Sequence, residues 1–495
     1  MLSLIEEQRL HVSRGTASSK KSQLGQFLTP ASTASFMAGL FPDASGVCTL
    51  LDAGAGIGSL SAAFLERWRN GGFAFQRVDV DAYEIDAELH PYLKQTLAGA
   101  RRTDRAFSSH VHGEDFIHAA VEAVARDLFS RPAAQYTHAI LNPPYKKIGS
   151  SSAHRLALRR VGIETVNLYS AFVALAVAQA APGGQIVAII PRSFCNGPYY
   201  RPFRDFILER AALRHMHLFE SRKNAFKDDD VLQENVILRL ECGAQQGAVT
   251  VTTSTDDTFD DLTSHEHPFD RIVFPGDSER FIHVPTSTAR SAIELTPNVR
   301  YSLADIGIKV STGPVVDFRL KAHLSQMPDE HSVPLIYPSH ILVSGTQWPL
   351  SETKKPNAIQ RNDETEKWLY PTGFYCAVRR FSSKEEKRRV VAGVVDPTVF
   401  GAHSVLGFEN HLNVFHENKR GLPEALARGL AVFLNMTAVD ESFRRFNGHT
   451  QVNATDLRLM KYPSRNALLA LGEWAKQQVA LSQEAIDDQL KLLAV

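Results

Sequence analysis

The feature that most restricts the fold of this chain is a glycine-rich turn between a strand-like segment and a helix-like segment. Residues 47–51 are apolar and residues 60–69 have a helical pattern; between them stand Asp52 and then glycines at every second position, Gly54, Gly56 and Gly58. Glycines leave room for a ligand on such a turn, and the start of the helix offers free N–H groups. The spacing is not the G-x-G-x-x-G of dinucleotide folds, and a purely structural turn is the alternative. The turn predicts an α/β fold with Asp52 and the three glycines as candidate cofactor-binding residues.

Short apolar segments alternate with helical ones from residue 47 to about 243, which is the pattern of an α/β sheet. The predicted strands are 47–51, 77–83, 137–141, 185–190, 215–219 and 235–240. The predicted helices include 1–15, 60–69, 116–128 and 168–180. The sequence therefore predicts a first domain over 1–245 with helices on both faces of one sheet.

The remainder of the chain has a different texture. Residues 246–300 are rich in Thr and Asp, and we expect a β-containing connection or insertion there. Short β-like runs alternate with Gly, Pro and charged turns over 301–463, and 465–495 has the spacing of an amphipathic helix. The sequence thus predicts a second, α+β domain over 301–495.

Composition excludes several classes of protein. The chain has 54 basic and 54 acidic residues, so its net charge indicates no partner. Its 4 cysteines lie far apart, which argues against a disulfide framework or a zinc ribbon. No signal peptide and no membrane-spanning run is visible. We expect a soluble, cytoplasmic protein with no membrane partner and no metal.

Two acidic residues after the glycine turn are candidates for binding a nucleoside. Glu84 ends the predicted strand 77–83, and a carboxylate there can accept both ribose hydroxyls of an adenosyl group. Asp86 is a close rival for that role. Asp115 could hold the adenine amino group while Phe116 covers the ring, although an ordinary helix N-cap would also explain Asp115.

The most informative segment is Asn142-Pro143-Pro144-Tyr145, which directly follows the predicted strand 137–141. Consecutive prolines fix the backbone and remove N–H donors, so the neighbouring carbonyl groups project as rigid acceptors. Asn142 Oδ1 and the Pro143 carbonyl could draw on the two protons of an amine and localise its lone pair for attack on a sulfonium methyl. Tyr145 offers a flat face for a heteroaromatic ring. Asn142, Pro143 and Tyr145 are therefore the candidate catalytic residues.

Basic residues gather around this segment. Between 140 and 225, twelve lysines and arginines stand against four acids. Such a local excess is typical of a surface that binds a polyanion, although part of it is expected on ordinary solvated helix faces.

In order and content, these motifs resemble the N6-adenine DNA methyltransferases of restriction–modification systems. Residues 23–30, which include Thr29, are similar to that family's N-terminal cofactor motif, and 181–194 is similar to its later strand and loop. Phe226 stands where the family places an aromatic that sandwiches the flipped base against Tyr145, with Phe219 as a rival. Residues 447–457 also resemble a stretch found in one branch of the family.

The resemblance implies a Rossmann-like sheet that binds S-adenosylmethionine, followed by a C-terminal domain that recognises the target sequence. It implies methylation of adenine N6 in double-stranded DNA by the modification enzyme of a type II system, with a cognate restriction endonuclease as a separate protein. No cysteine follows a proline here, as cytosine C5 chemistry would require. The alternatives are RNA adenine, a protein glutamine amide and cytosine N4 of DNA.

Overall fold

The chain folds into two compact units, Met1–Thr288 and Ala289–Val495. The computed structural model describes residues 2–15, 28–99, 106–125, 135–219, 234–288, 292–382, 386–446 and 451–493. Among these residues, no helix has both the length and the apolar character needed to cross a membrane.

The first unit is built on a sheet of nine strands. In chain order the strands are β1 Ser45–Ala53, β2 Ala74–Tyr83, β3 Ala106–His112, β4 Tyr136–Leu141, β5 Ala180–Pro191, β6 Ala211–Phe219, β7 Asn235–Cys242, β8 Val249–Ser254 and β9 Thr263–His267. Their order across the sheet is β3-β2-β1-β4-β5-β7-β6-β8-β9. The first five strands in this order are mutually parallel, and β7 lies antiparallel between β5 and β6. The carboxyl ends of β1, β2 and β4 therefore meet at one edge, where α/β folds bind ligands.

Helices cover both faces of this sheet. The helices of the first unit are α1 Leu2–Gly15, α2 Ala31–Gly39, α3 Ser59–Arg69, α4 His90–Ala98, α5 Phe116–Val124, α6 Ala153–Arg160, α7 Leu168–Gln179 and α8 Arg201–Arg210. Neighbouring strand residues enter different cores: Leu50 and Ile140 join the core with α2, α3 and α4, whereas Leu51 and Leu141 join the core with α5 to α8. A strand buried on both faces reads as a continuous apolar run, as β1 and β4 do. The predicted α/β sheet with helices on both faces is confirmed.

Two regions of the first unit differ from the sequence prediction. β3 was not predicted, because its side chains are exposed or half-buried and show no apolar alternation. The predicted connecting segment 246–300 contributes β8, which pairs in parallel with β6, and β9, which pairs with β8. The first unit thus continues to Thr288, past the predicted boundary at residue 245.

The second unit is α+β, as predicted. Its strands are β10 Lys309–Thr312, β11 Leu324–Ser325, β12 Ser332–Ile336, β13 Ala358–Gln360, β14 Leu369–Pro371, β15 Tyr375–Arg379, β16 Ala392–Val395, β17 Val405–Phe408 and β18 Leu412–His416. They form a four-stranded sheet, β10-β18-β15-β16, and a five-stranded sheet, β11-β13-β12-β17-β14. The helices are α9 Glu424–Leu434, α10 Thr437–Phe446, α11 Ala454–Leu459, α12 Arg465–Lys476, α13 Gln483–Asp488 and α14 Leu490–Leu493.

The prediction of one amphipathic helix over 465–495 is wrong. The structure has three helices there, because Ser482 begins a new helix by accepting a hydrogen bond from the Ala485 N–H. Val479, which was assigned to the apolar face, lies fully exposed between α12 and α13.

Candidate active site

The glycine turn has a backbone conformation that residues other than glycine adopt only with strain. Gly54, Gly56 and Gly58 have φ of 78°, 59° and 88°, all in the left-handed region. A Cβ on Gly56 would stand 2.9 Å from Leu28 Cδ2. The Gly54 N–H donates to the Tyr83 carbonyl at 2.9 Å, which ties the turn to the end of β2. The turn is thus a fixed backbone surface at the edge of the sheet.

Glu84 faces this turn from the end of β2. Its Oε2 accepts the Gly56 N–H at 2.8 Å and its Oε1 accepts the Asp86 N–H at 2.7 Å. Burial raises the pKa of Glu84, and these two backbone donors act against that rise. Each carboxylate oxygen has two lone pairs, so both oxygens keep acceptor capacity for a ligand. Asp86, the rival, presents its own N–H to Glu84 instead.

Asp115 and Phe116 stand at the start of α5. Asp115 Oδ1 accepts the His118 N–H at 3.2 Å, so this residue is an N-cap, as the alternative interpretation held. Its Oδ2 also accepts a hydrogen bond, at 2.9 Å, from His154 Nε2. Phe116 packs edge-to-face on Tyr83, with the ring centres 5.1 Å apart. The cap and the ligand roles are compatible, because Asp115 lines the cavity and each carboxylate oxygen has two lone pairs.

Asn142 stands at the end of β4 and is bound from two sides. Its Nδ2 donates to Thr29 Oγ1 at 3.0 Å, and its Oδ1 accepts from the Tyr145 hydroxyl at 3.2 Å. The same hydroxyl lies 3.2 Å from the Ile189 carbonyl on β5. Burial raises the pKa of Tyr145 well above its ordinary value, so the phenol remains a donor. These contacts hold the amide in one orientation, and its oxygen, with two lone pairs, can accept a second hydrogen bond beside the one from Tyr145.

These residues surround one cavity of about 280 Å³. Of the residues that the sequence singled out, seven line it: Thr29, Gly54, Gly56, Glu84, Asp115, Phe116 and Asn142. The carboxyl ends of β1, β2 and β4 thus bring the predicted motifs together around one space.

Other singled-out residues lie beside the cavity and do not line it. Gly58 is the N-cap of α3, and the Tyr145 hydroxyl donates to Asn142 Oδ1. Pro143, like Tyr145, is not among the lining residues. Asp52 is fully buried beneath the turn, where its Oδ2 accepts from Ser61 Oγ at 2.6 Å and burial raises its pKa to about 7. Asp52 is not among the residues that line the cavity, and its cofactor-binding role stays a prediction. Phe226 and residues 23–27 lie outside the described residues.

The sequence analysis missed several lining residues, and four of them show why. Ile85 is 57% exposed directly after Glu84, and His154, Leu168 and Phe172 come from the chain that follows the Asn-Pro-Pro-Tyr segment. An apolar residue after a strand-end acid could have been noticed. The other three reach the cavity only through tertiary packing.

The basic excess around residues 140–225 is smaller in the structure than the sequence implied. Eight of the twelve residues pair with acids, several of which lie outside that window: Arg155 and Arg159 with Glu164, Arg160 with Glu122, Arg192 with Glu234, Arg201 and Arg204 with Glu279, Arg210 with Glu209, and Arg214 with Glu241. Lys147 is exposed and has no acidic partner among the residues that the structure describes. The excess is therefore weak support for a polyanionic partner.

One cluster of side chains could hold a metal ion. Asp115, His118 and His154 each place one ligand atom within 4.8 Å of the others. Asp115 and His154 already form a hydrogen bond with each other, so a metal would have to replace that bond.

Comparison with known proteins gives a consistent result. Residues 80–226 match the family model described as Eco57I restriction-modification methylase. The chain is 53% identical to the Type II methyltransferase M.BsuBI of Bacillus subtilis, over 96% of this chain and 94% of that protein. It is 42% identical to the Type II methyltransferase M.PstI of Providencia stuartii, again over 96% and 94%. The fold is similar to that in the cryoEM structure of the DrdV–DNA complex, with a TM-score of 0.51 and 10% identity over 96% of this chain and 59% of that one.

Proposed function

The chain belongs to the type II methyltransferases of restriction–modification systems, and we propose that it transfers the methyl group of S-adenosylmethionine to N6 of an adenine flipped out of double-stranded DNA. The observation that carries this proposal is the position of Asn142. This residue lines the same cavity as the glycine turn, Glu84 and Asp115.

The cavity has the donors and acceptors that an adenosyl group requires. Glu84 would accept the ribose hydroxyls, and Asp115 would accept the adenine amino group. Ile85 and Phe116 supply apolar surface for the adenine ring. Gly56 has no side chain, so the cofactor could approach the backbone of the turn closely. S-Adenosylmethionine would supply an electrophilic methyl on a sulfonium. The residues present fit this cofactor.

The Asn142 side chain would then orient the amine that is methylated. Its Oδ1 and the Pro143 carbonyl would accept hydrogen bonds from the two N–H groups of the amine, which would turn the nitrogen lone pair away from the ring and towards the methyl. The amide is held from both ends, because its Nδ2 donates to the Thr29 hydroxyl and its Oδ1 accepts from the Tyr145 hydroxyl. Neither acceptor is a base, so the surplus proton passes to water. All four cysteines are buried and none lines the cavity, in keeping with a reaction that needs no cysteine nucleophile.

DNA is the proposed substrate because of the family, and the second unit is the proposed reader of the target sequence. A base within a duplex cannot reach a cavity of this kind, so it must be flipped out at a cost of a few kcal/mol. A cognate restriction endonuclease would act as a separate protein.

The test is to incubate the protein with labelled S-adenosylmethionine and DNA, RNA or a protein extract, and to identify the modified group by mass spectrometry. We expect N6-methyladenine in duplex DNA. Label at cytosine N4, at an RNA adenine or at a protein glutamine, with none at adenine in DNA, would overturn the proposal.

Two variants separate the roles of the site residues. Asn142→Ala should abolish transfer and leave the affinity for S-adenosylhomocysteine nearly unchanged, because the amide addresses the amine. Asp115→Ala should weaken S-adenosylhomocysteine binding first. Loss of cofactor binding in Asn142→Ala would show that this residue is misassigned.

A further inference from the structure

The chain between Tyr145 and α7 forms a loop whose two ends meet. Its base is an antiparallel bridge between Lys147 and Asn167, with the Leu168 N–H donating to the Lys146 carbonyl at 2.8 Å. This loop, residues 147–167, is named the excursion and contains α6. Its two ends lie side by side, one directly after Lys146 and the other directly before α7.

The excursion is fixed to α5. Leu158 is fully buried in the core that contains α5, and Arg160 Nη1 of α6 lies 2.6 Å from Glu122 Oε1 of α5. Arg155 and Arg159 both pair with Glu164, which closes the end of the excursion on itself. These contacts hold α6 against α5 near the C-terminal ends of both helices.

His154 is the point at which the excursion touches the cavity. Its Nε2 donates to Asp115 Oδ2 at 2.9 Å, and its ring lines the cavity wall. The other oxygen of Asp115 is held by the His118 backbone N–H at 3.2 Å. The carboxylate is thus held by one donor on each oxygen, and only one of the two donors is a side chain.

We propose that His154 is a positioning residue that sets the orientation of Asp115 and thereby the selectivity of the cofactor site for a 6-amino purine. This inference rests on the proposed function, which gives Asp115 the adenine amino group. A carboxylate that pivots about its Cβ–Cγ bond presents its lone pairs over a wide arc, whereas one fixed by two donors presents them in a narrow one. A hydrogen bond from the amine to a fixed carboxylate is charge-assisted and therefore strong.

The imidazole can perform this role in two protonation states. Nε2 carries a proton in one neutral tautomer and in the cation, and both forms donate to Oδ2. Glutamine places an amide nitrogen the same number of bonds from Cα as Nε2, whereas asparagine places its nitrogen one bond closer. His154→Gln should therefore keep the bond to Asp115, and His154→Asn should lose it.

The experiment measures binding by titration calorimetry with two probes, S-adenosylhomocysteine and its analogue with hydrogen in place of the 6-amino group. The wild-type protein should prefer the amino form by at least about tenfold. His154→Ala and His154→Asn should bind S-adenosylhomocysteine about three- to tenfold more weakly while their affinity for the analogue stays constant. His154→Gln should restore the preference. In steady-state assays the Ala variant should raise KM for the methyl donor, with kcat changed by less than about twofold.

The matched control is His118→Ala, which removes a neighbouring imidazole but keeps the backbone N–H that caps Asp115. It should bind both probes as the wild-type protein does. Equal weakening of both probes in His154→Ala and His154→Gln would mean that the ring only fills space, and the inference would be wrong. If Asp115→Ala keeps the full preference for the amino form, the adenine assignment itself fails; if Asp115→Ala loses it and His154→Asn does not, only the inference fails.

Discussion

Replacing Asp52 by asparagine tests whether this acid is a support beneath the glycine turn or a cofactor ligand. The side chain is fully buried, its Oδ2 is bound by Ser61, and its Oδ1 has no hydrogen-bond partner among the described residues. Burial raises the pKa from 3.8 to about 7, against the lowering effect of Ser61. The neutral acid therefore suits the folded site better than the carboxylate does.

The magnitude follows from linkage between ionisation and folding. Below pH 3.8 Asp52 is protonated in both the folded and the unfolded chain. Between pH 3.8 and about 7 it ionises in the unfolded chain but stays neutral in the folded one, so the free energy of unfolding falls as the pH rises. A tenfold change in acidity corresponds to about 1.4 kcal/mol, so the full effect is about 4 kcal/mol. Asparagine cannot ionise, so the Asp52→Asn variant avoids this loss of stability. Its amide N–H₂ group needs a hydrogen-bond acceptor, and leaving that group unpaired costs about 1–3 kcal/mol.

The assay is thermal unfolding of Asp52→Asn and wild-type protein over a pH series from about 4 to about 8. The difference in Tm between variant and wild type should shift in favour of the variant by roughly 8–16 °C as pH rises. Ser61→Ala removes the donor that favours the carboxylate, so it should lose stability mainly at the high-pH end. A Tm difference that stays constant across the series would refute the reasoning. Weakened S-adenosylhomocysteine binding with normal stability would instead restore the ligand role.

Three further predictions concern the site. Asn142→Asp keeps an acceptor at Oδ1 but loses the donor to Thr29, so methyl transfer should fall about 10²-fold and stay above that of Asn142→Ala in a filter assay. Glu84→Gln must turn an amide N–H₂ towards the N–H of Gly56 or Asp86, which should weaken S-adenosylhomocysteine binding at least about tenfold in calorimetry; unchanged affinity would contradict the geometry. Gly56→Ala adds about 1–2 kcal/mol of backbone strain and crowds Leu28, so both Tm and cofactor affinity should drop.

Local patterns in the sequence were sufficient for much of the architecture. β1 and β4 were recognised because strands buried on both faces are continuous apolar runs, and the turn after β1 because only glycine adopts its backbone freely. The Asn-Pro-Pro-Tyr segment was recognised as a candidate site from the sequence, because proline fixes its own backbone geometry. β3 was missed because an exposed strand has no apolar pattern to detect.

Contacts between distant residues were decided only by the tertiary structure. Thr29 meets Asn142 across 113 positions, and Asp115 meets His154 across 39. No periodicity links such pairs, because they are brought together by strand order and by the packing of α6 on α5. The extension of the sheet by β8 and β9 has the same cause, since pairing with β6 depends on where the earlier strands leave a free edge.

The glycine turn itself shows where the division falls. The sequence alone determined that an open glycine turn follows β1, because the three glycines and the change from strand to helix lie within a few consecutive residues. It did not determine which neighbouring acid lines the cavity: Asp52 precedes the turn by only two residues yet is fully buried away from it, whereas Glu84, from the next strand, lines it. Successive strand residues alternate between faces, and the neighbouring strand sets what each face meets, so only the assembled sheet assigns these two carboxylates.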